Sequence, residues 1–220
     1  MGPFVYGDDR LGVWIIESAN LTDKLKHVLP RLRNVHPITD VFLPESVTTA
    51  QKDQVKAAGY SQALYATANG RSAASLVATA LSTHAGRGAL ELNIELPFDD
   101  QLSPYITEAV ARVRLVRPNL ALRINVAPFK GYRLPVSLFV DDPKLYVIAQ
   151  AYYGNMDGRL SEADVLLDLL EYGIPPAKAS IMYGAMAGQP RRFSLPDVTY
   201  RHLRRGSIYS DDLMMNAGLL

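Results

Sequence analysis

The chain has 220 residues, 48% of them hydrophobic and 20% charged, the make-up of an ordinary globular protein. A formal net charge of +1 leaves no electrostatic footprint for nucleic acid, and the absence of cysteine excludes disulfides and thiolate metal sites. The opening MGPFVYGDDRLG lacks the basic and apolar regions of a signal peptide, and no apolar run nears the ~18–20 residues of a membrane span, so a soluble chain with no membrane partner is expected.

In chain order, LGVWIIE (11–17) reads as a strand and leads into a helix from about Thr22, where Leu25, Val28, Leu29 and Leu32 form an apolar stripe at helical spacing. ITDVFLP (38–44) precedes a helix from Thr49 that stops at Gly59, a residue suited to the left-handed position after a helix end. SQALYAT (61–67) precedes a helix over 71–85 with Leu76, Val77, Ala80 and Leu81 on one face and Gly86 as its stop. ALELNIEL meets Ser103-Pro104, which predicts an N-cap and a first-turn proline for a helix running to about Val116. LALRINVA (120–127) is followed by a stretch with only a short helix. LYVIAQAYY (145–153) is followed by SEADVLLDLLEYG, with Ser161 and Asp164 spaced as a capping box and Gly173 as the stop. ASIMYGA (179–185) and GSIYS (206–210) complete eight strand candidates.

Strands alternating with helices argue for parallel pairing. Eight units without a break in composition predict one domain over residues 1–220, an α/β protein folded as a compact (β/α)8 TIM-type barrel with its fifth, seventh and eighth helices reduced. The runner-up is a doubly wound open sheet, but the first strand–helix turn, ESANLTDK, has no glycine fingerprint for a dinucleotide. No cofactor is implied.

In a barrel the C-terminal strand ends carry the site. Here those ends are Glu17, Glu45, Thr67 to Gly70, Asn93 with Glu95, Asn125, Gln150 with Tyr152, Tyr183, and Tyr209 with Asp211. A rim this polar, acidic and aromatic suits a sugar, because carboxylates and amides bond hydroxyls while aromatic faces pack on a pyranose ring. Period-two alternation in GALELNIELPFDD (88–100) sets Glu91, Asn93 and Glu95 on one face and the leucines and isoleucine on the other. Glu95, nearest the strand end, is the general-acid candidate, since a carboxyl desolvated beside another acid keeps its proton longer. The alternative is an exposed edge strand with solvated acids.

GALELNIE resembles the fourth-strand signature of family 18 chitinases and their relatives, D-x-x-D-x-D-x-E. ATANG (66–70) resembles the S-x-G-G turn after their third strand, AQAY (149–152) their sixth-strand Gln-x-Tyr, GIPPAKASIMYGA (173–185) the approach to strand seven, and GSIYSDD (206–212) the last strand, where the family usually has tryptophan. The resemblance covers almost the whole chain and rests on the order of these motifs. It implies substrate-assisted hydrolysis at N-acetylglucosamine, one of the exceptions to the two-carboxylate scheme. In that mechanism Glu95 would protonate the glycosidic oxygen and Asn93 would orient the substrate's acetamido group, with Glu91 as inner support. Gln150 and Tyr152 would be partners of the acetamido group and Tyr209 the floor; Asn125 and Tyr183, from their strand-end positions, are further substrate-binding candidates. The first three acids of the signature are here Gly88, Glu91 and Asn93. An amide bonds the acetamido group but cannot supply the charge that stabilises an oxazolinium ion. Related endo-β-N-acetylglucosaminidases pair an asparagine with the glutamate as N-x-E.

His27, His36, His84 and His202 lack metal-ligand spacing, and no G-x-S-x-G, P-loop or H-E-x-x-H occurs. The arginines at 191, 192, 201, 204 and 205 read as a solvated face, with an interface to an acidic protein partner as the alternative. Asp99-Asp100 and Asp211-Asp212 read as dipole-favoured helix starts, and Phe42 and Tyr146 as core. Two functional classes follow. One is a glycosidase acting on N-acetylglucosamine-containing glycan. The other is a catalytically inactive barrel serving as a carbohydrate-binding or structural module of a larger assembly such as a phage tail.

Overall fold

The computed structural model describes residues 11–15, 20–35, 38–84, 88–94, 99–127, 133–150, 162–184 and 207–209. Eight strands run in chain order: β1 Leu11–Trp14, β2 Ile38–Pro44, β3 Ser61–Thr67, β4 Leu90–Asn93, β5 Leu122–Val126, β6 Leu145–Gln150, β7 Ala179–Gly184 and β8 Ser207–Tyr209. Each pairs in parallel with the next, and β1 also pairs with β8, so the sheet closes into a barrel. Closure removes the open-sheet alternative and both sheet edges with it, and β4 is an interior strand between β3 and β5.

Between the strands lie α1 Leu21–Asp23, a widened π segment Lys24–Val28, α2 Leu29–Val35, α3 Thr49–Ala57, α4 Ala73–Thr83, α5 Asp99–Val116, α6 Val136–Asp141 and α7 Glu162–Glu171. Alternate strand residues sort into two cores. Val41, Leu43, Leu64, Leu90, Leu92, Ile124, Val147 and Ile181 pack outward with helix residues such as Leu76, Ile106 and Val165. Trp14, Phe42, Ala63, Ala89, Ile148 and Met182 fill the lumen. The leucines of β4 thus face the helices, and its polar positions are left for the interior.

Local chemistry sets the helix ends. Thr48 caps α3 in a capping box, its hydroxyl accepting from the Gln51 N–H at 3.3 Å while the Gln51 side chain accepts from the Thr48 N–H at 2.9 Å. Ser72 caps α4, and Gly59 and Gly173 take φ of +82° and +102° just beyond α3 and α7. In the π segment the Leu29 N–H bonds the Lys24 carbonyl, just ahead of Pro30, which has no N–H to continue the ladder.

One boundary differs from the sequence expectation. Ser103 and Pro104 do not open α5; the helix begins at Asp99 and Pro104 lies inside it. Two acids at the start favour the positive end of the helix dipole, and one turn later the proline removes a single N–H from the ladder. The fifth strand's helix, α6, is six residues long, as expected of a reduced helix. Ser161, Gly86, His36, His202, the five C-terminal arginines and the segment after β8 lie outside the described residues. No helix among the described residues is long and apolar enough to cross a membrane.

Candidate functional site in the barrel lumen

Among the described residues the lumen shows two sectors. On β4, β5 and β6 the interior positions carry Glu91, Asn93, Arg123, Asn125 and Gln150, all buried. Asn125 Nδ2 donates to Glu91 Oε1 at 2.7 Å and lies 3.5 Å from Met182 Sδ, while Gln150 Nε2 donates to Asn93 Oδ1 at 3.0 Å. Asn93 and Gln150 come from strands separated by β5, so their bond spans the sector at the C-terminal end of the barrel. Hydrogen bonding of this kind is what makes burying these groups tolerable.

On β1, β2 and β3 the interior carries Trp14, Phe42 and Tyr65, with the buried Asp40 two residues before Phe42 on β2. Phe42 occupies the room above Gly12, where an added Cβ would fall 2.2 Å from the ring, and the Arg123 guanidinium covers Phe42 at 4.9 Å from its centroid. Above that layer Trp14 and Tyr65 stack with centroids 4.1 Å apart and planes 5° from parallel. Trp14 is buried, whereas Tyr65 keeps partial exposure. Neither stands out in the sequence, because each lies in an apolar run that reads equally well as filler.

A clip beside these sectors holds the loop after β3. Asn69 and Gly70 adopt left-handed φ of 42° and 74°, and Arg71 then folds back to donate to the Thr67 carbonyl and pair with Glu45 Oε1 at 2.7 Å. Tyr105 of α5 donates to the Arg71 carbonyl at 2.8 Å. Glu45 and Thr67 to Gly70, rim positions by sequence, are therefore tied together through an arginine that no motif in the sequence marks.

Of the other predicted site residues, Glu95 and Tyr152 lie outside the described residues, as do Glu17 and Asp211. Tyr183 and Tyr209 are placed by backbone register alone, Tyr183 opposite Ile208 and Tyr209 opposite Gly184. The family signature's first acid position, Gly88, has no room for a side chain: a Cβ would fall 1.7 Å from the Gln62 carbonyl oxygen. Among the described residues no group of three or more His, Asp or Glu is placed to hold a metal ion. His27 pairs with Asp23 on the surface, and the buried His84 donates through Nε2 to the Gly88 carbonyl at 3.0 Å.

The class this geometry defines is an eight-stranded α/β barrel with a polar and an aromatic wall inside its mouth. No protein-family model and no curated relative matches the sequence. Among solved structures, concanavalin B is similar at a TM-score of 0.57 and 13% identity, over 95% of this chain and 95% of that one. Proteus mirabilis N-acetylneuraminate lyase is similar at 0.48 and 11% identity, over 90% of this chain and 69% of that one. At 13% identity the first likeness speaks to the fold alone.

Proposed function

We propose that the chain is a glycoside hydrolase-like barrel that takes an N-acetylglucosamine-containing glycan at its C-terminal mouth and works by substrate-assisted general acid catalysis. What supports this most directly is the Asn93–Gln150 bond, a pair of buried amides brought together from β4 and β6. Amides carry both donor and acceptor, which is the complement of an acetamido group. In this reading Glu95 gives its proton to the glycosidic oxygen as the acetamido oxygen closes on the anomeric carbon. The leaving alcohol departs with that proton, and water then opens the oxazolinium ion with Glu95 as base. Asn93 and Gln150 hold the acetamido group, Glu91 supports them from below, and Tyr152, Tyr209, Asn125 and Tyr183 complete the pocket.

A second reading, a barrel that binds glycan or serves a larger assembly without cleaving, is favoured by a different observation. The carboxylate of Glu91 is sunk in the lumen and engaged by Asn125, and position 93 is neutral. The negative charge that would face a developing oxazolinium is missing there.

Two variants separate the readings. In the enzyme, Glu95→Gln keeps the shape and removes the proton, and hydrolysis of N-acetylglucosamine oligomers should fall by about 10²–10⁴. Hydrolysis at the wild-type rate would assign the chemistry elsewhere. Asn93→Asp returns a charge that in a dry site contributes on the order of 3–4 kcal/mol to transition-state stabilisation. The expected outcome is weak wild-type turnover on plain oligomers and a variant that is no worse. Brisk turnover abolished by Asn93→Asp would point to a working N-x-E site, and no cleavage by either folded protein would favour the binding module.

A further inference from the structure

We infer that Tyr65, backed by Trp14, is the stacking platform on which the sugar ring sits. The inference rests on the glycan reading above and assigns it a residue that neither the sequence motifs nor the family signature supplied. The two rings come from β1 and β3 and meet across β2. They can do so because Phe42, the β2 residue between them, is drawn down into the space that Gly12 leaves empty. The layer above Phe42 is thereby free for a near-parallel pair 4.1 Å apart.

The pair is asymmetric. Trp14 is 4% exposed and sealed among Phe42, Ala63 and Met182, whereas Tyr65, near the C-terminal end of β3, keeps partial exposure. Tyr65 is paired in register with Glu91, and two residues on Thr67 is paired with Asn93. Tyr65 therefore lies on the strand next to Asn93, two residues toward the N-terminal end of the barrel from the amide pair. A pyranose has the matching character, with an apolar face of axial C–H groups and an edge of hydroxyl and acetamido groups. Backing by Trp14 fixes the Tyr65 ring before ligand arrives, so little side-chain freedom remains to be lost on binding.

Trp14 is the sole tryptophan in the sequence, which makes the protein's tryptophan emission a reporter of this layer. The experiment is a fluorescence titration of the full chain with N-acetylglucosamine tetramer and, in parallel, glucose tetramer, repeated on Tyr65→Phe and Tyr65→Ala, with thermal melts to verify folding. Saturable change with the N-acetylated tetramer is expected, with affinity kept in Tyr65→Phe and lowered about tenfold in Tyr65→Ala. Equal affinity in wild type and folded Tyr65→Ala would overturn the platform and leave the glycan reading standing, as would equal losses in Tyr65→Phe and Tyr65→Ala, which would give the contact to the hydroxyl. Glucose tetramer binding as tightly, with the same loss in Tyr65→Ala, would keep the platform and remove the N-acetyl specificity. Binding of neither sugar to wild type, in emission or calorimetry, would overturn both. If Tyr65→Ala does not fold, Tyr65→Leu, which fills similar space without a π face, takes its place with the same outcomes.

Discussion

The two walls of the lumen are built on different physics. The β4–β6 wall is a set of paired polar groups, Glu91 with Asn125 and Asn93 with Gln150, each depending on a partner from another strand. The β1–β3 wall is a set of volumes, Gly12 ceding space to Phe42 and Phe42 making room for the Trp14–Tyr65 stack. The polar wall fails when a partner is removed, because a buried donor or acceptor is then stranded. The aromatic wall fails when a volume changes, because in a close-packed interior an added methyl must displace a neighbouring ring. In the proposed site they would give a sugar hydrogen bonds on one side and a flat apolar face on the other.

The largest expected effect tests where each wall can yield. Gly88→Ala, beside the polar wall, drives a methyl into the Gln62 carbonyl oxygen, part of a strand backbone that cannot turn aside. It should cost about 3 kcal/mol or more in urea unfolding, at the upper end of what overpacking does. Gly12→Ala meets the ring of Phe42, which can shift, and should cost about 1–3 kcal/mol. If Gly12→Ala proves the worse of the two, the aromatic wall is the more rigid and the contrast is reversed.

A smaller effect sharpens the pairing argument. Glu91→Leu strands the Asn125 amide and should lower stability by ~1.5–3 kcal/mol, the range for a hydrogen bond to a charged group. The double replacement Glu91→Leu with Asn125→Leu should cost less than the sum of the two single ones, since it removes both partners at once. Strict additivity in equilibrium unfolding would show that the two side chains do not act as a pair.

The smallest effect concerns the turn into β4. Burial, more than the nearby positive charge of Arg117, lowers the His84 pKa below its ordinary 6.5, against the raising effect of the bond to Gly88. The folded state therefore binds fewer protons than the unfolded one. The stability this neutral histidine contributes is fully present above pH 6.5 and declines as pH falls below it. Thermal melts from about pH 7.5 down to about pH 5.5 should show a steeper loss for wild type than for His84→Gln. Parallel profiles would mean that the acid sensitivity lies with other groups.

Much of the polar wall is legible in the sequence, and almost none of the aromatic one. The alternation in LELN announces itself because acids and amides between leucines demand an explanation, and Gln150 follows from the same parity on a later strand. Trp14 and Tyr65 sit among residues as apolar as themselves, so nothing local announces that their rings stack. Gly88 misleads in the opposite sense. In the resemblance it falls where the family 18 signature has an acid, whereas in the fold the Gln62 backbone is pressed against it and leaves no space for a side chain.

By itself, then, the sequence determined the period of the elements and hence the parallel barrel, because strand and helix periodicities are local properties that a chain carries residue by residue. It also determined which side chains of β4 turn inward. Which of them meet was decided only by tertiary structure: Asn93 with Gln150 across β5, Arg71 with Glu45, Trp14 over Tyr65. Those contacts join residues many positions apart, and their geometry follows from barrel closure and strand register, which no local pattern encodes.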